Sequence, residues 1–181
     1  IKSILEMIDS RLGRCNISGE IIVYTTPPAD PTLLEQLFEA GADHIVCSLE
    51  IWDEELAKLV MPGKMKFTGR NRHLAALEYI ASKYGPNKVC SDFIVGLESI
   101  ESLLAGAEYL ASRGIVPAAS VWIPFGRPVQ KKMKAPGLQY YKAVKRGFSE
   151  IYSKYGIEPP GGSGLNVCMC RDIWLQDNKT A

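Results

Sequence analysis

The sequence predicts an α/β fold: a partial (β/α) barrel of the TIM type, with about four parallel βα units. Two observations support this. Apolar segments alternate along the chain with amphipathic segments of helical period, and such an order is typical of a parallel sheet covered by helices. The apolar segments are also apolar nearly throughout, as expected of strands that are buried on both faces.

The elements follow in order. Strands are predicted at residues 20–28, 43–51, 88–97 and 115–125, and helices at 30–42, 52–60, 70–85, 99–114 and 137–156. The first of these helices has Asp30 as its cap and Pro31 at its first position, where proline is favoured. Residues 61–69, which contain Pro-Gly, are predicted to be a loop. We expect one barrel-type domain over 1–156, beginning in the middle of a barrel, and a tail over 157–181.

Size and composition indicate a globular protein of the cytoplasm. The 181 residues suffice for one domain, and the net charge of +1 implies no general attraction to nucleic acid or membranes. No apolar run approaches the ~20 residues of a membrane span. Five cysteines without a secretory segment favour a reducing compartment. Cys47 and Cys90 lie in apolar strand patterns and are expected to be core thiols.

Residues that could form a small-molecule site, most of them polar, gather where the predicted strands end. They are Thr25 on the first strand, Ser48 and Glu50 on the second, Asp92, Gly96 and Glu98 on the third, and Ser120, Trp122 and Pro124 on the fourth. Strand carboxyl ends share one rim in such folds, and that rim carries function. Ser48 and Glu50 are expected to share a face by alternation. The alternative is that strand ends are polar only because loops begin there.

Two arginines, Arg70 and Arg72, open the long helix, where the helix dipole disfavours positive charge. A carboxylate ligand would hold them there, since arginine grips carboxylates bidentately; a solvated basic helix end is the alternative. The two histidines, His44 and His73, have no zinc spacing. Neither a Gly-x-Gly-x-x-Gly turn nor a Walker motif is present.

Four segments in this order resemble the later half of a radical S-adenosylmethionine (SAM) enzyme of the biotin synthase-like branch. They are residues 47–64, 69–85, 89–99 and 116–128. The resemblance implies that the four strands correspond to the third to sixth of a six-unit partial barrel. It also implies SAM contacts from Ser48, Glu50, Arg70, Arg72, Ile94, Gly96, Glu98 and Pro124. Asp92 replaces a family glycine, and Glu98 stands one position before the family's acid.

The same resemblance implies an activity and a second cofactor. Such enzymes cleave SAM reductively to a 5′-deoxyadenosyl radical that abstracts hydrogen from a substrate; Thr25, Asp92 and Trp122 are the residues expected to face it. The [4Fe–4S] cluster needs a Cys-x3-Cys-x2-Cys segment, which this sequence lacks. The cluster is therefore expected in a full-length parent, supplied by a missing N-terminal half-barrel or a companion chain. The start at Ile1 fits that expectation.

Cys168 and Cys170 have the wrong spacing for that cluster. They are either ligands of an auxiliary metal or tail thiols.

Two other functions stay open. One is a non-radical α/β-barrel lyase or aldolase that uses Glu50 and Asp92 as acid and base, although the sequence shows no lysine at a strand end for a Schiff base. The other is a non-catalytic binding module that kept the fold.

Overall fold

Four parallel strands form one sheet in the computed structural model, which describes residues 1–123, 134–159, 169 and 173. The strands are β1 (Ile22–Tyr24), β2 (His44–Val46), β3 (Val89–Val95) and β4 (Val116–Val121). They lie in the order β1-β2-β3-β4, and each neighbouring pair is parallel. The predicted α/β fold with four parallel βα units is confirmed, and the sheet corresponds to part of a TIM-like barrel.

Seven α-helices occur in the described part of the chain. They are α1 (Lys2–Leu12), α2 (Glu35–Glu39), α3 (Glu54–Val60), α4 (Pro62–Phe67), α5 (Gly69–Tyr84), α6 (Ile100–Ala111) and α7 (Leu138–Tyr155). Side chains cap two of them: Asp53 accepts a hydrogen bond from the Leu56 amide at α3, and Ser99 accepts one from the Ser102 amide at α6.

The prediction of a loop over 61–69 is wrong, because α4 occupies most of that segment. Pro62 takes the first helical position, where its missing N–H leaves no hydrogen bond unmade. The predicted helix 30–42 is divided into a 3₁₀ turn, Pro31–Leu34, and the short α2. Asp30 caps this turn as expected, since its side chain accepts from the Thr32 amide at 3.0 Å.

The core lies between the helices and the outer face of the sheet. Phe93 and Val95 of β3 are fully buried, as are Leu77 of α5, Leu103 of α6 and Phe148 of α7. Helices α5 and α6 pack on β3, and α7 packs on α6. The outer face is therefore sealed, and the strands can offer only their inner face and their ends to a ligand.

Residues near the C-terminus contact β4. The Met169 amide donates to the Ala119 carbonyl at 2.7 Å, and the Tyr152 hydroxyl donates to the Pro117 carbonyl at 2.6 Å. Ile173 is fully buried. The division into a barrel domain and a tail stays a prediction. Among the helices of the described residues, none combines the length and apolarity that a bilayer crossing requires.

Candidate functional site at the carboxyl edge of the sheet

Asp92, Ile94 and Ser120 lie on the inner face of the sheet near its carboxyl edge. The register pairs Ile94 with Ser120 and Asp92 with Ala118, and paired residues of neighbouring strands point the same way. These side chains are only partly buried, whereas Phe93 between them is fully buried on the other face. Polar groups of two strands thus meet near the carboxyl edge, on the face opposite Phe93 and Val95.

The two oxygens of the Asp92 carboxyl differ in their surroundings. Oδ2 accepts a hydrogen bond from the Ser120 hydroxyl at 2.7 Å. Oδ1 is buried and has no hydrogen-bond donor among the described residues. The pKa of Asp92 is raised to about 6, first by burial and then by the charge of Glu50, against the lowering effects of the Ser120 hydroxyl, the Phe93 backbone amide and Lys64. A titratable carboxyl therefore stands at the strand ends.

Glu50 is fixed beside Asp92 by its backbone. Its amide donates to the Asp92 carbonyl at 2.9 Å, and its carbonyl accepts from the Ile94 amide at 2.8 Å. Its φ of 73° is in the left-handed region, which is uncommon for a residue other than glycine. Strand β2 ends at Val46, but Glu50 still forms an isolated parallel bridge with Phe93, and the prediction that Ser48 and Glu50 share a face stays a prediction. Ser48 is half-buried in this connection.

Lys64 belongs to the site and was missed from the sequence. Its ammonium donates to Oε1 of Glu50 at 3.0 Å, and the two side chains are only 24% and 27% exposed. Helix α4 brings it there, in the segment that the sequence predicted as a loop. Pro62 was the one indication in the sequence that a helix begins here, because proline is favoured at the first helical position, and Lys64 lies on the turn that follows. Lys64 supplies the strand-end amine that the sequence analysis did not find.

Arg70 and Arg72 have different environments. The Arg70 guanidinium lies 3.6 Å from the ring centroid of Trp52 and also donates to the Trp52 carbonyl. Gly106 makes room for this ring, because a Cβ there would lie 2.7 Å from Trp52. Arg72 is half-buried and forms no ion pair with any acid in the described part of the chain. A carboxylate ligand for Arg72 stays a prediction.

His73 is buried, and its Nδ1–H donates to the Gly69 carbonyl at 2.8 Å. Burial lowers its pKa, so the ring is neutral at pH 7. A neutral, hydrogen-bonded imidazole inside the start of α5 has a structural role.

Glu98 is engaged by the protein itself. Its carboxylate accepts hydrogen bonds from the Trp52 amide at 2.9 Å, the Asp53 amide at 3.0 Å and the Ser102 hydroxyl at 2.6 Å. The residue is 7% exposed. It therefore joins the loop after β3 to the loop before α3, and a contact with a cofactor stays a prediction. Because two of its partners are backbone amides, these contacts could not be predicted from the sequence.

Gly96 follows β3 with φ of 114°, which favours glycine. A Cβ on Gly96 would lie 3.2 Å from both Pro136 and the Tyr141 hydroxyl. The Tyr140 hydroxyl donates to the Glu98 carbonyl at 2.9 Å. The absence of a side chain at Gly96 thus lets the segment before α7 pack against the end of β3. This packing is a structural reason for the glycine, and its contact with a cofactor stays a prediction.

The remaining predicted residues lie at the ends of the outer strands or outside the described residues. The Thr25 amide donates to the Val46 carbonyl at 3.0 Å, and the Trp122 amide donates to the Val95 carbonyl at 2.9 Å. Both side chains are half-buried. Pro124, Cys168 and Cys170 lie outside the described residues. Within the described ranges, no three His, Cys, Asp or Glu side chains are grouped to hold a metal ion.

A groove of about 540 Å³ lies beside this edge, between α3, α4 and the start of α5. Lys58, Met65, Lys66 and Arg70 are among the residues that line it. The Glu50–Lys64 pair and the Asp92–Ser120 pair form a separate polar cluster on the strand ends. That cluster contains two carboxyl groups, one ammonium and one unpaired buried acceptor, and it can bind a hydrogen-bond donor or transfer a proton.

Comparison with known proteins shows which solved structures have a similar fold. No protein-family model matches the chain. A curated relative, bacteriochlorophyllide c C-7(1)-hydroxylase of Chlorobaculum limnaeum, is 26% identical over 130 residues, which cover 71% of this chain. The match covers 32% of that relative, so the chain spans about a third of its length.

Two solved structures share the fold. One is a domain of pyruvate-formate lyase-activating enzyme from Bacteroides vulgatus, with TM-score 0.60, 17% identity and coverage of 87% of this chain and 89% of that one. The other is coproporphyrinogen III oxidase from Escherichia coli, described as a radical SAM enzyme, with TM-score 0.57, 19% identity and coverage of 86% and 38%. The α/β fold of this chain is thus one that a radical SAM enzyme has.

Proposed function

We propose that this chain provides the SAM-binding strand ends of a radical SAM enzyme of the biotin synthase-like branch. The observation that carries the proposal is the polar cluster at the carboxyl edge, where the unpaired Oδ1 of Asp92 lies beside the Glu50–Lys64 pair. SAM is a nucleoside with a cationic sulfonium, an ammonium and hydroxyl groups, and these complement carboxylate acceptors. The similarity in fold to a radical SAM enzyme supports the proposal.

Each part of SAM then has a partner in the chain. Glu50, whose Oε1 is bonded to Lys64, would accept from an amino or hydroxyl group through its other oxygen. Arg72 would hold the SAM carboxylate, because Arg70 is engaged by Trp52. Ile94 and Gly96 would form the apolar support for adenine. Contacts from Ser48, Glu98 and Pro124 stay part of the same proposal, as do substrate contacts from Thr25 and Trp122.

The residues of this chain do not fit the [4Fe–4S] cluster. The sequence has no Cys-x3-Cys-x2-Cys segment, and burial raises the pKa of Cys47 to about 12, which keeps it a thiol. The proposal therefore assigns the cluster to another segment of the parent enzyme or to a companion chain. A cluster bound there would supply the reducing electron.

Calorimetric titration of the chain with SAM tests the binding. We expect binding to the wild type and a loss of roughly tenfold or more in Glu50→Gln and Arg72→Ala, because each removes a charged partner. Glu39→Gln, an exposed residue at the end of α2, is the control and should bind as the wild type does. Equal binding by all four proteins, or none by the wild type, would refute the proposed site.

Catalysis needs the full-length parent. After anaerobic reconstitution with iron and sulfide, it should show [4Fe–4S] absorption and release 5′-deoxyadenosine from SAM under reduction. A bacteriochlorophyllide, named as the substrate type of the curated relative, is the first substrate to add. A reconstituted parent that shows neither the absorption nor 5′-deoxyadenosine contradicts the proposed reaction.

A second candidate function is a carbonyl lyase of the aldolase type, and the position of Lys64 favours it. Its amine reaches the strand ends and could condense with a substrate carbonyl, releasing water and forming an imine. Borohydride would reduce that imine to a stable amine. Mass spectrometry of the chain treated with pyruvate and borohydride should then find the adduct on Lys64, and no adduct there would exclude this function.

A further inference from the structure

Positive charge is concentrated in one stretch of the chain. Residues 109–149 contain eight of the 21 lysines and arginines and none of the 20 acids. The net charge of +1 therefore combines a strongly basic segment with an acidic remainder. A local excess of one sign attracts partners of the opposite charge even when the whole protein is nearly neutral.

Helix α7 carries part of this charge on its outer side. Lys142, Lys145 and Arg146 are spaced i, i+3 and i+4, so they lie on one side of the helix. Val144 and Phe148 on the opposite side are fully buried, where α7 packs on α6. Lys142 and Arg146 are exposed, and Lys145 is half-buried. We call these three cations the basic face of α7.

No acid in the described part of the chain neutralises the basic face. None of its three cations forms an ion pair there, although Glu150 lies four positions after Arg146, a spacing that permits one. At the other end of the same helix, Lys154 does pair with Glu108, at 2.6 Å. Like charges at this spacing repel one another, so their grouping does not help the helix to form.

Leu138 adds an apolar contact beside the basic face. It lies one turn before Lys142 on the same side of the helix and is 67% exposed. The first turn of α7 contains no acid, and no side chain caps it, so the helix dipole adds to the positive potential there. This turn adjoins the carboxyl edge of the sheet, because the Tyr140 hydroxyl donates to the Glu98 carbonyl at 2.9 Å.

An acidic protein surface fits the basic face better than a nucleic acid or a membrane does. Nucleic-acid interfaces neutralise roughly 6–10 phosphates, and the clusters that bind anionic membranes contain about 4–8 lysines and arginines. Three cations on little more than one helical turn are fewer than either needs. Small numbers of charges suffice at a protein interface, where they speed the encounter and suppress wrong partners.

We propose that the basic face of α7, together with Leu138, is a docking surface for an acidic segment of a partner protein. Carboxylates of the partner accept charge-assisted hydrogen bonds from the three cations, and an apolar side chain of the partner packs on Leu138. The partner then lies next to the carboxyl edge. This inference does not depend on SAM binding, since none of these residues belongs to the proposed SAM site.

A matched pair of peptides tests the charge recognition. The probes are acetylated peptides of ten glutamates and of ten glutamines. NMR titration of the wild-type chain in about 50 mM NaCl should shift the amides of residues 138–146, and only with the glutamate peptide. Its affinity should fall roughly tenfold or more in about 300 mM NaCl, because salt screens exposed charges.

Charge reversal on the basic face provides the decisive variant. Lys142→Glu combined with Arg146→Glu should weaken the glutamate peptide roughly tenfold or more, and glutamate keeps the helix propensity of the residues that it replaces. Arg11→Glu combined with Lys88→Glu makes the same change in net charge at exposed positions on other elements. This control should bind the peptide as the wild type does.

The apolar contact has its own probe. A glutamate peptide with one leucine at its centre should bind the wild type more tightly than the peptide of ten glutamates. Leu138→Ser should remove that gain and leave the affinity for the all-glutamate peptide within about twofold of the wild type. An equal gain in both proteins would show that Leu138 is not part of the surface.

Three results would overturn the inference. One is that the wild type does not bind the glutamate peptide or shifts amides outside α7. Another is equal binding by the wild type and the charge-reversed variant. The third is tighter binding of a 12-base-pair DNA duplex or of phosphatidylserine vesicles, which would assign the face to a nucleic acid or a membrane. Failure of the proposed function is a separate result, because there Glu50→Gln and Arg72→Ala leave SAM binding unchanged.

Discussion

The ammonium of Lys64 lies 3.0 Å from Oε1 of Glu50, and both charges of this pair act on the buried carboxyl of Asp92. Glu50 raises the pKa of Asp92 and Lys64 lowers it. Both partners are held by the backbone: Glu50 by its hydrogen bonds to β3, and Lys64 by the short helix α4. Burial and the Ser120 hydrogen bond have the largest effects on the acidity of Asp92, and this pair outside its own strand adjusts it in opposite directions.

Opposite shifts of the Asp92 pKa are expected when the two partners are neutralised separately. Glu50→Gln removes a negative neighbour and should lower the pKa below about 6, whereas Lys64→Met removes a positive neighbour and should raise it. Carbon-13 NMR of the aspartate carboxyls across pH 4–8 measures both. Shifts of the same sign in the two variants would contradict this electrostatic account.

Asp92 is expected to make the stability of the chain fall as the pH rises from about 4 to about 6. Its pKa is about 6 in the folded chain and 3.8 for a free side chain, so the folded state holds the proton more tightly in that window. The loss is of the order of 2–3 kcal/mol. Urea unfolding at pH 4 and pH 8 should show that Asp92→Asn removes this part of the pH dependence; an unchanged dependence would count against it.

Glu98→Ala should destabilise the chain by about 3 kcal/mol, because it leaves the Trp52 and Asp53 amides without their acceptor. Urea denaturation measures the loss. The matched control is Glu101→Ala, an exposed residue on the first turn of α6, which should cost less than about 1 kcal/mol. Similar losses in the two variants would show that the buried carboxylate does not stabilise the two loops.

Gly106→Ala should destabilise the chain by about 1–3 kcal/mol, since the new methyl group would lie 2.7 Å from the Trp52 ring. Near-UV circular dichroism should report the displaced tryptophan. Gly63→Ala in α4 is the control: nothing lies within 4 Å of its Cβ position, and alanine favours the helix by roughly 0.5 kcal/mol. The free energy of unfolding should fall in Gly106→Ala and rise in Gly63→Ala; changes of the same sign in both variants would contradict the account.

Much of the fold was accessible from the sequence, because each strand is an apolar segment followed along the chain by a helical segment. The order of the four strands, the cap at Asp30 and the long α5 were all predicted. The strands are shorter than predicted, since buried apolar residues continue past the strand ends, as Leu49 and Ile51 do after β2. Helix α4 was missed because its Met-Pro-Gly start has the composition of a turn.

The site was accessible only in part. Glu50 and Asp92 were identified as strand-end acids, and the structure brings them together. The role of Lys64 depends on the position of α4. The contact between Arg70 and the Trp52 ring depends on Gly106, which leaves space for that ring. The partners of Glu98 are backbone amides, which every residue except proline has. Such contacts arise from tertiary structure and leave no pattern along the chain.

The closure of the Tyr140 hydroxyl over the Glu98 carbonyl joins residues that are 42 positions apart in the chain. Such a contact closes a long loop, and its closure entropy must be lost before the contact contributes any stability. The first turn of α7 should therefore order late during refolding. In the native protein its amides should exchange with solvent deuterium sooner than those of β3, which would make this turn the earliest part of the carboxyl edge to open.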